Sequence, residues 1–282
     1  MLTPTIDLSS LPSATRNSSG YLQFCPSEVG SETGDDYACC QHTGADRVAG
    51  YMLPRLKAGQ RVLDVGCGVG ALVTALLERG LDAYGVDVPA VAPQWTKAGN
   101  DAGRFFSVNA VELPFPDNSF DVVTSFGVIE HIGTINGHCT LRDDYWDHRR
   151  AYAREILRVT RPGGRVFIAC PNKSVPIDIQ HGPTDAHSKA APIRCYLFNK
   201  TGMTIHKTWG RYHLVSYGEV RDLFSGVRRF TPLSLKNYFG FGRFAGGFLK
   251  PFSAIAQSWI DNMPQFAATS FLNPYVMVEM TK

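Results

Sequence analysis

A chain of 282 residues, 44% hydrophobic and 19% charged, carries enough apolar side chain for one large folded core, which excludes a wholly disordered polymer. A formal net charge of +3 without any long Lys/Arg run argues against a nucleic-acid surface. Seven cysteines, odd in number and without paired C-x-x-C spacing, argue against a structural zinc site and read as the reduced thiols of a cytoplasmic protein.

Residues 1–40 form an expected mobile N-terminal segment or flap, with no basic start and apolar block of a secretory leader, and no apolar run in the chain reaches membrane-spanning length. Tyr21, Tyr37 and His42 are candidates to roof a ligand, ordinary surface packing being the alternative. A helix over Ala45–Leu56 follows from Val48, Met52 and Leu56 at helical spacing. The run Val62–Val65 then reads as a short strand that breaks at Gly66 and opens a helix near Val69. Glycines at such a turn keep Cβ atoms away, so a small ligand can lie against the backbone.

Gly66-x-Gly68-x-x-Ala71 followed by Asp87 also satisfies a relaxed dinucleotide fingerprint. Asp64, just before the glycines, speaks against it: a carboxylate there repels a pyrophosphate and attracts an ammonium or sulfonium cation. Beyond Gly80, Ala83–Val86 forms the second strand and sets Asp87 at its carboxyl end, placed to accept from ribose hydroxyls or to cap the segment at Pro89. The third strand spans Phe105–Val108 and the fourth Phe120–Ser125, leading into Phe126-Gly127-Val128-Ile129-Glu130-His131-Ile132. A helix over Asp144–Val159 carries an apolar stripe, with Arg149, Arg150 and Arg154 assigned to a solvated face, and Pro162-Gly163-Gly164 turns into the fifth strand, Arg165–Cys170.

Residues 171–215 then interrupt the expected alternation as a lid insertion, before Ser216 and Glu219 form a capping box for a helix to Phe224. The insertion holds His181, Asp185, His187, His206 and His213. The spacing of His181, Asp185 and His187 matches no known metal cage, so no metal is expected and one histidine is a candidate base. Strand six lies within Val227–Leu233 and the last strand within Pro274–Met280. Between them a second helical insertion, 236–271, repeats Phe241, Phe244, Phe248, Phe252, Ile255 and Trp259 along one face. That face packs on the lid or on a second subunit, or it lines an apolar entrance.

Val62–Gly70 resembles the first motif of class I S-adenosylmethionine-dependent methyltransferases. Three segments extend the resemblance over about residues 45–170: Gly85-Val86-Asp87-Val88, Leu113-Pro114-Phe115 through Asn118–Val123, and Arg161–Ile168. It implies an α/β fold, a Rossmann-like doubly wound seven-stranded sheet with the last strand antiparallel, its cofactor-binding core at 41–170 and the remainder of the core at 216–282. It implies S-adenosyl-L-methionine held by Asp64, Gly66, Cys67, Gly68, Asp87, Val88, Asn109, Ala110 and Phe126. Asn109 stands where relatives often carry the Asp that reads the adenine amino group, a bond its amide oxygen can also accept.

In this family the segment around Phe126–Ile132 brings methyl donor to acceptor, so His131 is the expected general base and Glu130 the second catalytic candidate. O-methylation of a natural product or sugar-like hydroxyl leads the expectations for a small-molecule acceptor. C-methylation of an apolar carbon follows, because Glu130-His131 resembles the segment of cyclopropane fatty acid synthase relatives, where a glutamate helps hold bicarbonate. A noncatalytic cofactor-binding module serving a partner enzyme and a nicotinamide oxidoreductase are the other classes. The expected state is a monomer or homodimer, with neither nucleic acid nor stable membrane insertion.

Overall fold

The computed structural model describes residues 6–7, 11–26, 45–135, 140–178, 181, 191–201, 203–238, 240 and 250–282. Its centre is β3 (Arg61–Val65), whose alternate residues feed two different cores. Leu63 and Val65 join one cluster with Tyr152, Ile156, Tyr217 and Val220, while Val62 joins the other with Met52, Leu72, Val73 and Trp95. The first cluster draws on α4 (Tyr145–Val159) and α6 (Tyr217–Leu223). The second draws on α1 (Ala45–Met52), α2 (Ala71–Leu77) and α3 (Ala92–Ala98). Helices thus cover both faces of the sheet, which is why β3 is apolar on both sides.

The sheet runs β1-β2-β5-β4-β3-β6-β7-β11-β10. β4 (Asp82–Asp87), β5 (Phe105–Ser107), β6 (Phe120–Phe126) and β7 (Thr160–Pro171) join β3 in parallel, and β11 (Tyr275–Thr281) runs antiparallel between β7 and β10 (Arg229–Pro232). This is the doubly wound arrangement expected from the motifs, with the last strand antiparallel. Among the described residues this sheet has nine strands rather than seven, because β1 (Thr15–Arg16) and β2 (Leu22–Gln23) extend the β5 edge. Where a flap was expected, Tyr21 is 3% exposed, meets Trp95 edge-on at 5.1 Å, and donates its hydroxyl to the Asn100 carbonyl at 2.9 Å. Tyr21 therefore packs into the core rather than roofing a ligand. Tyr37 and His42 lie outside the described residues.

β7 begins before Arg165: Thr160 pairs with Phe120 and Arg165 with Val122, and the extra residues bulge out through Gly163 at φ +75°. The insertion contributes β8 (Ile177–Asp178), α5 (Ala191–Thr201) and β9 (Thr204–Ile205), β8 and β9 pairing antiparallel. The Ser216–Glu219 capping box is present as expected. In the second insertion α7 (Lys250–Asp261) is described, with Ile255 69% and Trp259 39% exposed, while Phe241, Phe244 and Phe248 lie outside the described residues. No described helix is long and apolar enough to cross a membrane.

Candidate active site

At the end of β3 the chain turns through Gly66, Gly68 and Gly70, all at positive φ. A Cβ on Gly66 would sit 2.2 Å from Val128 Cγ2, so the loop after β6 lies directly on this turn. From the end of β4, Asp87 Oδ2 accepts the Gly68 N–H at 2.7 Å and Oδ1 accepts the Val88 N–H at 2.8 Å. Trp95 Nε1 donates to the Gly68 carbonyl at 2.6 Å. Asp64 is 5% exposed and accepts from Thr124 Oγ1 at 2.7 Å. Burial pushes the Asp64 carboxyl up to about 7 and that of Asp87 to about 6. A cation placed beside them would draw both back to the ionised form.

Adjacent positions differ in what they present. The Cys67 side chain turns into the sheet: a Cβ on Gly85 would lie 2.8 Å from its Sγ, and burial pushes the thiol well above its ordinary range. Only the backbone of Cys67 is therefore offered to a ligand. Asn109 Oδ1 accepts the Val111 N–H at 3.2 Å, so its amide oxygen already shapes the turn after β5. Val88, Ala110 and Phe126 are partly exposed, Phe126 with its ring 5.8 Å from that of Tyr238.

The loop after β6 and the insertion meet in a cluster of imidazoles and carboxyls. His131 Nε2 lies 3.5 Å from His181 Nε2, and His181 Nδ1 lies 2.8 Å from Asp178 Oδ2. Thr204 Oγ1 donates to the His181 carbonyl at 2.9 Å, tying the histidine to β9. His213 is fully buried, its ring 4.9 Å from that of His181 and its Nε2 3.6 Å from Asp178 Oδ2. Burial disfavours a charged His181, yet the bond and charge of Asp178 outweigh it and hold its pKa above the ordinary histidine value. Burial drives His213 down to about 4 and Glu130, 1% exposed, up to about 7. The arrangement can hold a proton and pass it between two imidazoles.

Arg149 fixes this cluster, contrary to its assignment to a solvated face. It is 0% exposed and donates to the carbonyls of His213, Ile132 and Glu130, the latter two at 3.2 and 3.4 Å. Its position four residues after Tyr145 and three before Tyr152 put it on the apolar stripe of α4, a signal the sequence did contain. Arg150 and Arg154 are exposed as expected. Asp178, three residues before His181, was not singled out either. Asp185 and His187 lie outside the described residues.

Residues 63–168 match the family described as methyltransferase domain. These residues are a class I S-adenosylmethionine-dependent methyltransferase domain, and S-adenosyl-L-methionine is the cofactor of that class. The chain is 28% identical over 166 residues to a Mycolicibacterium smegmatis protein named "probable S-adenosylmethionine-dependent methyltransferase", covering 58% of this chain and 59% of that one. It is 36% identical over 130 residues to the 27-O-demethylrifamycin SV methyltransferase of Amycolatopsis mediterranei, covering 44% and 42%. The chain spans about half the length of the curated relatives it matches. In fold it resembles a chain of a complex containing the Haloferax volcanii Trm112 methyltransferase activator, with TM-score 0.51, 17% identity, and 92% and 99% of the two chains covered.

Proposed function

We propose that this chain transfers the methyl group of S-adenosyl-L-methionine to a hydroxyl oxygen of a small-molecule natural product. The observation that carries the choice of oxygen is the line from Asp178 through His181 to His131, which gives a hydroxyl proton a place to go. An amine acceptor needs only to arrive neutral and has no use for such a device. The relative that methylates 27-O-demethylrifamycin SV supports the same acceptor class.

In this reading the cofactor lies across the glycine turn, with Asp64 facing its ammonium end and Asp87 its ribose, and Gly66, Gly68 and the Cys67 backbone beneath it. Val88, Asn109 and Ala110 border the adenine, and Phe126 the sulfonium. The insertion at 171–215 is the acceptor-side lid, since it delivers His181 to His131. The hydroxyl oxygen attacks the methyl carbon in line with sulfur, the carbon–sulfur bond breaks, and the proton passes to the imidazole pair. An ether and S-adenosylhomocysteine result.

The test uses methyl-labelled cofactor with a pool of phenolic, sugar and polyketide hydroxyl acceptors. The expected product carries label as an O-methyl group, and His131→Ala and His181→Ala each lower turnover about 100-fold or more at unchanged S-adenosylhomocysteine affinity. Label on nitrogen or carbon, or wild-type turnover in both variants, contradicts the proposal.

A further inference from the structure

Glu130, His131 and His181 each contribute one ligand-type atom to a cluster, the three atoms lying within 4.8 Å of one another. The two Nε2 atoms are 3.5 Å apart. Two imidazole nitrogens each about 2.1 Å from one tetrahedral ion are about 3.4 Å apart, so the rings already stand at the separation a shared ion requires. The hydrogen bond from His181 Nδ1 to Asp178 Oδ2, 2.8 Å long, keeps a ring proton on Nδ1, so in the neutral ring Nε2 is the nitrogen with the lone pair. This is the carboxylate–histidine arrangement that supports metal-bound imidazoles.

The third ligand supplies an independent observation. Glu130 is 1% exposed and its Oε2 has no hydrogen-bond partner. A buried carboxylate oxygen without a donor is costly, and a cation beside it removes the cost. The Arg149 guanidinium grips the Glu130 and Ile132 carbonyls on either side of His131, which holds the ligand-bearing loop in place. The neighbouring trio Asp178, His181 and His213 also gathers ligand-type atoms. In that trio His181 Nδ1 and Asp178 Oδ2 already satisfy each other at 2.8 Å.

We propose that Glu130, His131 and His181 hold one divalent transition ion of the zinc class, with Asp178 orienting His181 and a fourth position open to the acceptor. The ion site stands on its own geometry, and only the use of its open position rests on the proposed O-methylation. There the acceptor oxygen binds the ion, its proton leaves to solvent, and the resulting alkoxide attacks the methyl carbon as the carbon–sulfur bond breaks. Without the ion, the imidazole pair takes the proton itself.

The experiment strips the full chain with chelator and titrates it with Co2+, followed by visible absorption, and with Zn2+ by calorimetry, measuring S-adenosylhomocysteine affinity in parallel. We expect one ion per chain with the absorption of tetrahedral Co2+. Glu130→Gln and His181→Ala each weaken ion binding about 100-fold or more, and Asp178→Asn about 10- to 100-fold, with S-adenosylhomocysteine affinity unchanged. If Glu130→Gln also loses that affinity, His131→Gln and His181→Gln, whose rings are partly exposed, give the decision. No ion binding by the unmodified chain, or equal binding in the ligand variants, overturns the site. Ion binding without S-adenosylhomocysteine binding upholds the site and overturns the cofactor reading. The converse overturns the ion site alone.

Discussion

Asp87 at the end of β4 grips Gly68 at the crest of the glycine turn, its Oδ2 accepting the glycine N–H at 2.7 Å. The carboxylate thus shapes the turn before any ligand arrives, and in the proposed reading it also accepts from the cofactor ribose. Asp87→Ala removes both contributions. We expect S-adenosylhomocysteine affinity to fall by about 1–3 kcal/mol, the usual cost of deleting a charged acceptor. Unchanged affinity in a calorimetric titration would remove Asp87 from the ribose site.

Gly66 meets two separate demands, a φ of +77° and the 2.2 Å approach of Val128 Cγ2 to where a Cβ would stand. Gly66→Ala is expected to destabilise the fold by more than the roughly 1–2 kcal/mol of backbone strain alone. Adding Val128→Ala relieves the clash and not the strain, so the double variant should recover part of the loss in denaturant unfolding. Full recovery would mean that the backbone conformation costs nothing here.

Asp64 makes ligand-free stability depend on pH. Burial raises its folded pKa to about 7, above the ordinary aspartate value of 3.8, so the folded state keeps a proton that the unfolded chain releases. That contribution is present below about pH 4 and lost as pH rises through about 7. Relative to Asp64→Asn, the wild type should therefore lose stability between pH 4 and pH 8 in thermal unfolding. Cofactor binding near pH 6 should release protons, measurable by calorimetry in buffers of different ionisation heat. A constant gap between variant and wild type across that range would contradict this.

Arg149→Met leaves the carbonyls of Glu130, Ile132 and His213 without their donor. A loss of about 2–4 kcal/mol in urea unfolding is expected. Arg149→Lys should not restore it, since a single ammonium cannot span three carbonyls set by a planar fork. Stability within experimental error of wild type in Arg149→Met would contradict the clamp.

The legible parts of this molecule were those written locally. The strand–glycine–helix run at Val62–Val73, the end-of-strand Asp87 and the Ser216 capping box each rest on residues a few positions apart, and the structure has them in place. The strands β1 and β2 were not legible: each is two residues long and forms because Leu22 and Tyr21 reach apolar partners far along the chain. The imidazole cluster joins His131 to His181 across fifty residues, whereas the residues nearest His181 in sequence, Asp185 and His187, have a spacing that matches no metal cage. The charge of Arg149 suggests solvent, but its position on the apolar stripe of α4 buries it.

The measurement that bears most directly on the account is a calorimetric titration of the whole chain with S-adenosylhomocysteine, with NAD as the paired control. One-to-one binding of the homocysteine ligand at micromolar affinity is expected, with no heat from NAD. Binding of NAD in its place would contradict the assignment of the glycine turn, and with it the methyl transfer built upon that turn.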